Sequence, residues 1–332
     1  MNTGIDISVI VCTYNRAALL YRAVESLFHL NTANAFVHEI VVIDDASTDD
    51  TPAILKGLQA RTTAPLRVAR ATGAGIAAAR NCGVLEAKGD FVAFFDDDQL
   101  ADPNWLLELW QTRLATGAAC VGGARVLDLP AHERAAMPSI IRLYLGEIPI
   151  EKAPRPCGRA DLLCTGTVLI ERPVFARVGG FDESLTEGGE DTEFFMRVRA
   201  AGLQTWYTPR SLARHIIPSY RREAPYLIWT AMRGGACFAC RDLREWGRAR
   251  TIAAALLRMT HAIAVHAPLF VAARLRGSKA HTLARRCQIY RALAYTRSAL
   301  SSATPTAPRE GARAAMAFRR ERSLFPETGP RG

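Results

Sequence analysis

The apolar positions fall in short uninterrupted runs, each closed by a polar turn and followed by residues with helical spacing. Ser8-Val9-Ile10-Val11-Cys12 is such a run; it stops at Thr13-Tyr14-Asn15-Arg16, and Leu20, Val24, Leu27 and Phe28 then recur at helical intervals. Glu39-Ile40-Val41-Val42-Ile43 repeats the pattern. It ends in Asp44-Asp45-Ala46-Ser47-Thr48-Asp49, and Thr51-Pro52 opens a helix through Leu58. A third strand at Leu66 to Ala69 leads to Gly73-Ala74-Gly75 and a small-residue helix, Ile76 to Leu85. The fourth run, Phe91 to Phe95, passes without a spacer into Asp96-Asp97-Asp98. Runs that are continuously apolar suit strands covered on both faces, and their alternation with helices predicts an α/β fold. Its core is a mostly parallel, Rossmann-like sheet with right-handed crossovers. Three loops, at Thr13-Tyr14, Asp44-Asp45 and Asp96 to Asp98, are then expected on one edge of it.

Later elements are read in the same way. Trp105 to Leu114 has helical spacing, and Ala119 to Val126 and Leu162 to Ile170 read as strands. Residues 128–160 hold five prolines and read as a long loop of the kind that covers a substrate. Pro225 to Cys240 reads as a helix broken at Gly234-Gly235.

At 332 residues, 49% hydrophobic and 22% charged, the chain is large enough for one big domain, or one domain with an appendage, and is excluded from the disordered class. Its N-terminus lacks the pattern of a secretory leader, which predicts a cytoplasmic location. Eight scattered cysteines suit a reducing compartment, and Cys237-Phe-Ala-Cys240 stands alone without a second pair. Charge divides the chain sharply. Residues 1–209 carry 19 Lys and Arg against 26 Asp and Glu, net −7, whereas residues 210–332 carry 23 against 6, net +17. A basic block of that size predicts an anionic partner.

Three carboxylates at a strand's end lie where α/β sheets bind ligands, and they need a positive partner. A hard divalent cation, Mg²⁺ or Mn²⁺, shares oxygen ligands between one or two carboxylates and substrate phosphates, which suits the Asp-x-Asp spacing of Asp96 and Asp98. The structural alternative is an acidic turn capping the helix after Asp102-Pro103. Gly73-Ala74-Gly75 lacks the third glycine of a dinucleotide fingerprint and no GxxxxGK[ST] loop occurs, so nicotinamide chemistry and nucleoside triphosphate hydrolysis are excluded.

Four segments, Ser8 to Arg16, Val41 to Asp49, Ala79-Arg80-Asn81-Cys82-Gly83 and Phe94 to Asp98, resemble in order and spacing the family-2 glycosyltransferases. The resemblance spans roughly residues 7–220. It implies a nucleotide-sugar-binding sheet of the GT-A type, a divalent metal at the triplet and inverting sugar transfer, in envelope, exopolysaccharide or glycolipid synthesis. By motif position it implies Thr13 and Tyr14 at the nucleotide base, Asp45 accepting the base's imide hydrogen, Asp97 nearby, and Asp98 holding the metal on the diphosphate. Asp44 either orients its loop or touches ligand. Arg80 either pairs with phosphate or supports its helix. Gly188-Gly189-Glu190-Asp191 resembles the family's acidic motif, so Asp191 is the expected general base with Glu190 second; the structural alternative is a helix N-cap. His215 occupies the position where many family members carry a histidine near the metal, and a structural role is its alternative. Absence of QxxRW speaks against a processive synthase.

Ile252 to Ala273 is apolar enough to raise the question of a membrane span, but Arg258, His261, His266 and Pro268 interrupt it. At 100° per residue Thr251, Arg258, His261 and His266 share an arc of roughly 140°, which predicts an amphipathic helix lying on an anionic membrane; a helical hairpin packed on the catalytic domain is the alternative. The expected organisation is a catalytic domain over 1–220, a basic helical region over 221–300 and a disordered tail over 301–332. The expected partners are a UDP-, GDP- or dTDP-linked sugar, a sugar, lipid-linked or other hydroxyl acceptor, and an anionic membrane surface on the inner face of the cell membrane. A nucleotidyltransferase, or a non-enzymatic module binding membrane or nucleic acid, are the competing classes. The first lacks an early phosphate-gripping loop; the second leaves the carboxylates unexplained, and no nucleic-acid motif occurs.

Overall fold

The computed structural model describes residues 4–301, apart from 63, 159, 160, 162, 186 and 187. Expectations for the tail from residue 302 onward, and for Leu162 as the start of a strand, lie outside the described residues. Among the described residues nine strands form one sheet: β1 (Ile7–Thr13), β2 (His38–Asp44), β3 (Leu66–Arg70), β4 (Phe91–Asp96), β5 (Gln99–Ala101), β6 (Cys120–Leu127), β7 (Arg155–Pro156), β8 (Thr167–Glu171) and β9 (Thr205–His215). Eleven α-helices are described: α1 (Ala17–Leu27), α2 (Thr51–Arg61), α3 (Ile76–Glu86), α4 (Trp105–Thr116), α5 (Ala131–Ala136), α6 (Ser139–Tyr144), α7 (Arg172–Val178), α8 (Glu190–Ala200), α9 (Ala224–His261), α10 (Ala267–Leu275) and α11 (Lys279–Leu300).

The spatial order is β3-β2-β1-β4-β8-β6-β9-β5, with β7 beside β9. β1 to β4 are mutually parallel, β6 and β9 are parallel to each other, and β8 runs antiparallel between β4 and β6. The expected mostly parallel α/β sheet is therefore present. Register carries the consequence: Thr13 lies opposite Asp44 and Cys12 opposite Asp96, so the polar turns after β1, β2 and β4 share one edge.

Neighbouring residues of one strand enter opposite cores, which is why the runs are apolar throughout. Val9, Val11, Val42 and Phe95 join Leu20, Val24 and Trp105 on one face; Ile10, Val41, Ile43 and Phe94 join Phe175, Phe181 and Phe194 on the other. Phe181 packs against Phe94 at 5.5 Å and against Phe194 at 4.6 Å between ring centroids. Each fully buried ring contributes on the order of 1.5–3 kcal/mol. The same rings seat α8, which carries Glu190 and Asp191, on the strand that carries the aspartate triplet.

The described residues fall into two compact units, one reaching Asp128 and resuming over Glu147–Ile216, the other made of Leu129–Gly146 and residues from Ile217. The segment read as a long loop contains α5 and α6, which belong to the second unit. That unit differs from expectation in its breaks as well. α9 runs through Gly234-Gly235, where Gly235 is closely faced by the Arg291 carbonyl of α11, and it kinks instead at Gly247, whose φ of 74° is left-handed. A π-helical turn, Ala262–His266, precedes Pro268, and α10 follows.

Ala224–Leu275 is long and apolar enough by composition to cross a membrane, and little of its most apolar window is buried. Its polar arc turns mainly toward α11. Thr251 is buried, Arg258 lies 4.0 Å over the Tyr295 ring of α11, and His266 meets Arg285. The apolar side is the outward one, with Leu256, Leu257 and Ile263 each more than 60% exposed.

Candidate active site

The loop after β1 is tied to the loop after β2 by Asn15. Its φ of 51° is left-handed, which asparagine tolerates, and its Oδ1 accepts from the Thr48 and Asp49 amides at 2.7 and 3.3 Å. Ser47 Oγ accepts from the Asn15 amide in return, and Asp44 Oδ1 accepts from Ser47 N. Asp44 therefore shapes its own turn. Asp45 is buried and reaches the next loop, its two oxygens accepting from the Gly73 and Gly75 amides at 3.0 Å each. Both glycines have positive φ, and a Cβ on Gly73 would crowd Ala46, so the loop needs those residue types to bring two amides onto one carboxylate. A carboxylate has about four lone-pair directions, so Asp45 retains acceptor capacity. Tyr14 beside it is exposed, its ring open for stacking.

The triplet divides into two settings. Asp97 and Asp98 are buried and face the first loop: Thr13 Oγ1 donates to Asp97 at 2.8 Å, and one Arg16 guanidinium nitrogen reaches Asp97 at 2.7 Å and Asp98 at 3.2 Å. Burial raises the Asp97 pKa above the ordinary carboxylate range; Arg16 opposes that and Asp98 adds to it. Asp98 also meets His215, Oδ1 to Nε2, at 3.4 Å. Asp96, more exposed, points toward other cations, with Arg125 at 3.5 Å, Arg80 at 3.8 Å and Gln99 Nε2 donating at 3.0 Å.

Gly166, just before β8, lies under this second group. A Cβ there would fall within 2.5 Å of Arg125 and Gln99 and nearer still to Asp96, so only glycine lets the three converge. Arg125 is buried; burial alone would lower its pKa, but Cys164, Asp96 and Asp98 raise it, and it stays charged.

Arg80 is buried and forms a close ion pair with Glu190 at the start of α8. Burial opposes its charge, while Glu190, Asp96 and Asp191 together hold its pKa up. Asp191 is half-buried, its Oδ1 accepting from the Thr192 amide at 2.6 Å. The two adjacent acidic residues that open α8 thus differ: Glu190 is buried and committed to an arginine, and Asp191 keeps partial access to solvent. Asn81 grips the Phe181 backbone by donating to its carbonyl and accepting from its amide, so it supports the structure between α3 and α8.

Could these residues hold a divalent cation? Among the described residues no group of three His, Cys, Asp or Glu side chains has the geometry of a protein-only metal centre. The buried pair Asp98 and His215 does fit a cation that takes its remaining ligands from a diphosphate and water, the habit of Mg²⁺ and Mn²⁺.

The structure gathers Thr13, Asp44, Asp45, Arg80, Asp96, Asp97, Asp98, Glu190, Asp191 and His215 around the ends of β1, β2, β4 and β9. It adds Arg16, Gln99, Arg125 and Gly166, for which sequence reasoning finds no role. Arg16 lies within the first of the four family-like segments, whereas Arg125 and Gly166 carry no local signal.

A sequence profile of glycosyl transferase family 2 matches residues 8–170, and one of the N-terminal domain of galactosyltransferase matches residues 152–219. Succinoglycan biosynthesis protein ExoM of Rhizobium meliloti (strain 1021) is 28% identical over 238 residues, 70% of this chain and 74% of that protein. Validoxylamine A glucosyltransferase of Streptomyces hygroscopicus subsp. jinggangensis (strain 5008) is 32% identical over 251 residues, 66% of this chain and 56% of that protein. A crystal structure of S. aureus TarS superposes with a TM-score of 0.52 at 16% identity, over 86% of this chain and 55% of that one. Sheet, strand-end carboxylates and comparisons define a glycosyltransferase of the GT-A fold. Within that class, the chain belongs to glycosyl transferase family 2.

Proposed function

We propose that this protein transfers a sugar, with inversion and one or a few at a time, from a nucleotide-sugar to a hydroxyl acceptor, using Mg²⁺ or Mn²⁺. The observation that carries this reading is the buried Asp98 and His215 pair, set on the same sheet edge as Asp45 and Thr13. The nucleotide base lies between Tyr14 and Asp45, the ring stacking and the carboxylate accepting an N–H. The diphosphate lies toward Asp98 and His215, where the bound cation supplies Lewis-acid stabilisation of the departing nucleoside diphosphate. Arg16 neutralises Asp97 and Asp98, and its guanidinium would stand beside the phosphates of a donor held at Asp98 and His215. Asp191 removes the acceptor's proton as the hydroxyl oxygen attacks the anomeric carbon, a displacement that inverts it. Arg80, locked between Glu190 and Asp96, fixes the distance between the general base and the donor.

The names of the relatives point to succinoglycan biosynthesis in one case and to glucosylation of validoxylamine A in the other, and the chain spans little more than half of the second. Envelope or exopolysaccharide synthesis is the context that the rest of this chain favours, because its basic helical unit suits an acceptor presented at a membrane. That unit contributes to the net +17 after residue 209 and has an outward apolar side on α9 and α10. The protein then works on the inner face of the cell membrane. A thermal-shift panel of UDP-, GDP- and dTDP-sugars, each with and without Mn²⁺, tests the donor reading; stabilisation by one donor only with metal is expected, and no response to any donor would overturn it.

A further inference from the structure

The helical unit contains a cavity of about 500 Å³ whose lining includes Leu257, Arg258, His266, Gln288, Arg291 and Tyr295. No carboxylate is in that lining. Asp242, fully buried beneath it, is already shared by Arg241 at 2.8 Å, Arg258 at 3.5 Å and the Tyr295 hydroxyl at 2.6 Å. One carboxylate therefore faces two guanidinium groups before the rest of the lining is counted. Arg291, on α11, has no carboxylate partner among the described residues; it stacks on Phe238 at 4.8 Å and lies near the Tyr144 hydroxyl. Arg285 meets the His266 ring, at 3.4 Å, and likewise has no carboxylate partner among the described residues. The His266 pKa is lowered, first by burial and then by His261 and Arg285, as expected beside positive charge. Half-buried guanidinium groups left without anions are an arrangement that phosphate satisfies by bidentate hydrogen bonding.

One edge of this cavity is apolar. Leu257 lines it and is 72% exposed, and Leu256 and Ile263 stand outward on the same stretch. Leu269, Val271 and Leu275 are exposed on α10. Free phosphate gains nothing from such a rim, whereas a lipid buries its chains against it while its headgroup enters the basic cavity. We infer that the cavity between α9 and α11 binds the phosphate headgroup of an anionic lipid through Arg291 and Arg258, with the lipid chains against Leu257 at its edge. This deepens the membrane reading above and rests on it, adding a discrete site to a diffuse attraction.

The test uses the full chain and calorimetry with dioctanoyl phosphatidate, a soluble short-chain lipid, beside sedimentation with phosphatidylcholine vesicles doped with phosphatidate. Saturable binding of the short-chain lipid is expected, weakened about tenfold by Arg291→Gln, which removes one charge-assisted contact. Arg274→Gln, on the exposed end of α10, removes the same charge outside the cavity and should change it little. Gln288→Glu places a carboxylate in the lining and should abolish binding, which keeps the test decisive if Arg291→Gln misfolds. Equal weakening by Arg274→Gln and Arg291→Gln would overturn the site while leaving salt-sensitive vesicle binding intact. Inorganic phosphate binding as tightly as the lipid would overturn the lipid assignment, and so would an unaffected Gln288→Glu protein.

Discussion

His215 Nε2 lies 3.4 Å from Asp98 Oδ1 because the backbone zips the two together: β5 pairs antiparallel with β9, Gln99 opposite His215, and the Ile216 amide donates to the Asp98 carbonyl at 2.8 Å.

That pairing makes metal dependence testable apart from turnover. Nucleoside diphosphate binding, followed by calorimetry, should require Mn²⁺ or Mg²⁺ and fall away with EDTA, since diphosphate and buried aspartates otherwise repel. His215→Ala should weaken Mn²⁺ affinity in the presence of nucleotide by roughly tenfold or more, and Asp98→Ala should remove it. Unchanged Mn²⁺ affinity in both variants would exclude this pair as the metal site.

Arg16 acts as the resident counter-ion of Asp97 and Asp98. Removing one partner of a fully buried pair costs about 3–5 kcal/mol, and Arg16 keeps some surface in water, so Arg16→Met should destabilise the metal-free protein by about 1–3 kcal/mol. Added Mn²⁺ should restore more stability to Arg16→Met than to the parent protein. An equal response of both to Mn²⁺ in thermal melts would separate Arg16 from the cation's position.

Asp45 has two tasks, holding the Gly73 and Gly75 amides and accepting from the base. Asp45→Ala should therefore lower both melting temperature and nucleotide affinity, the latter by about 1–3 kcal/mol, while leaving the metal requirement in place. Loss of stability with full nucleotide affinity would restrict Asp45 to the loop.

The sheet is legible in the sequence because strands buried on both faces need continuous apolar runs, and Ile10 and Val11 serve opposite cores with no change of residue class. The convergence of Thr13, Asp45 and Asp96 follows from parallel register. Arg125 and Gly166 are not legible, since their roles arise where β6 and β8 approach β4, and a buried arginine looks in sequence like any surface one. In the helical unit the face is legible and its neighbour is not. The polar arc of Thr251, Arg258, His261 and His266 is real, but periodicity gives a face and not its neighbour; that neighbour is α11, carrying Tyr295 and Arg285.

Glu190 and Asp191, adjacent in sequence, should separate cleanly by mutation. Glu190 is paired with buried Arg80, so Glu190→Gln leaves that guanidinium with Asp96 at 3.8 Å and the more distant charge of Asp191. Disrupting a buried pair in this way costs about 3 kcal/mol or more, which for a unit of this size lowers the melting temperature by roughly 6–12 °C. Asp191 is the second residue of α8, whose N-cap is Gly189; it is half-buried and accepts from its neighbour's amide, which an asparagine Oδ1 can also do. Asp191→Asn should then melt with the parent protein and bind donor and metal equally well. Its kcat should fall by about 10²–10⁴, the usual contribution of a general base acting only in the transition state. Full turnover in Asp191→Asn would remove it from the chemistry, and a Glu190→Gln protein as stable as its parent would mean that Arg80 does not need its partner.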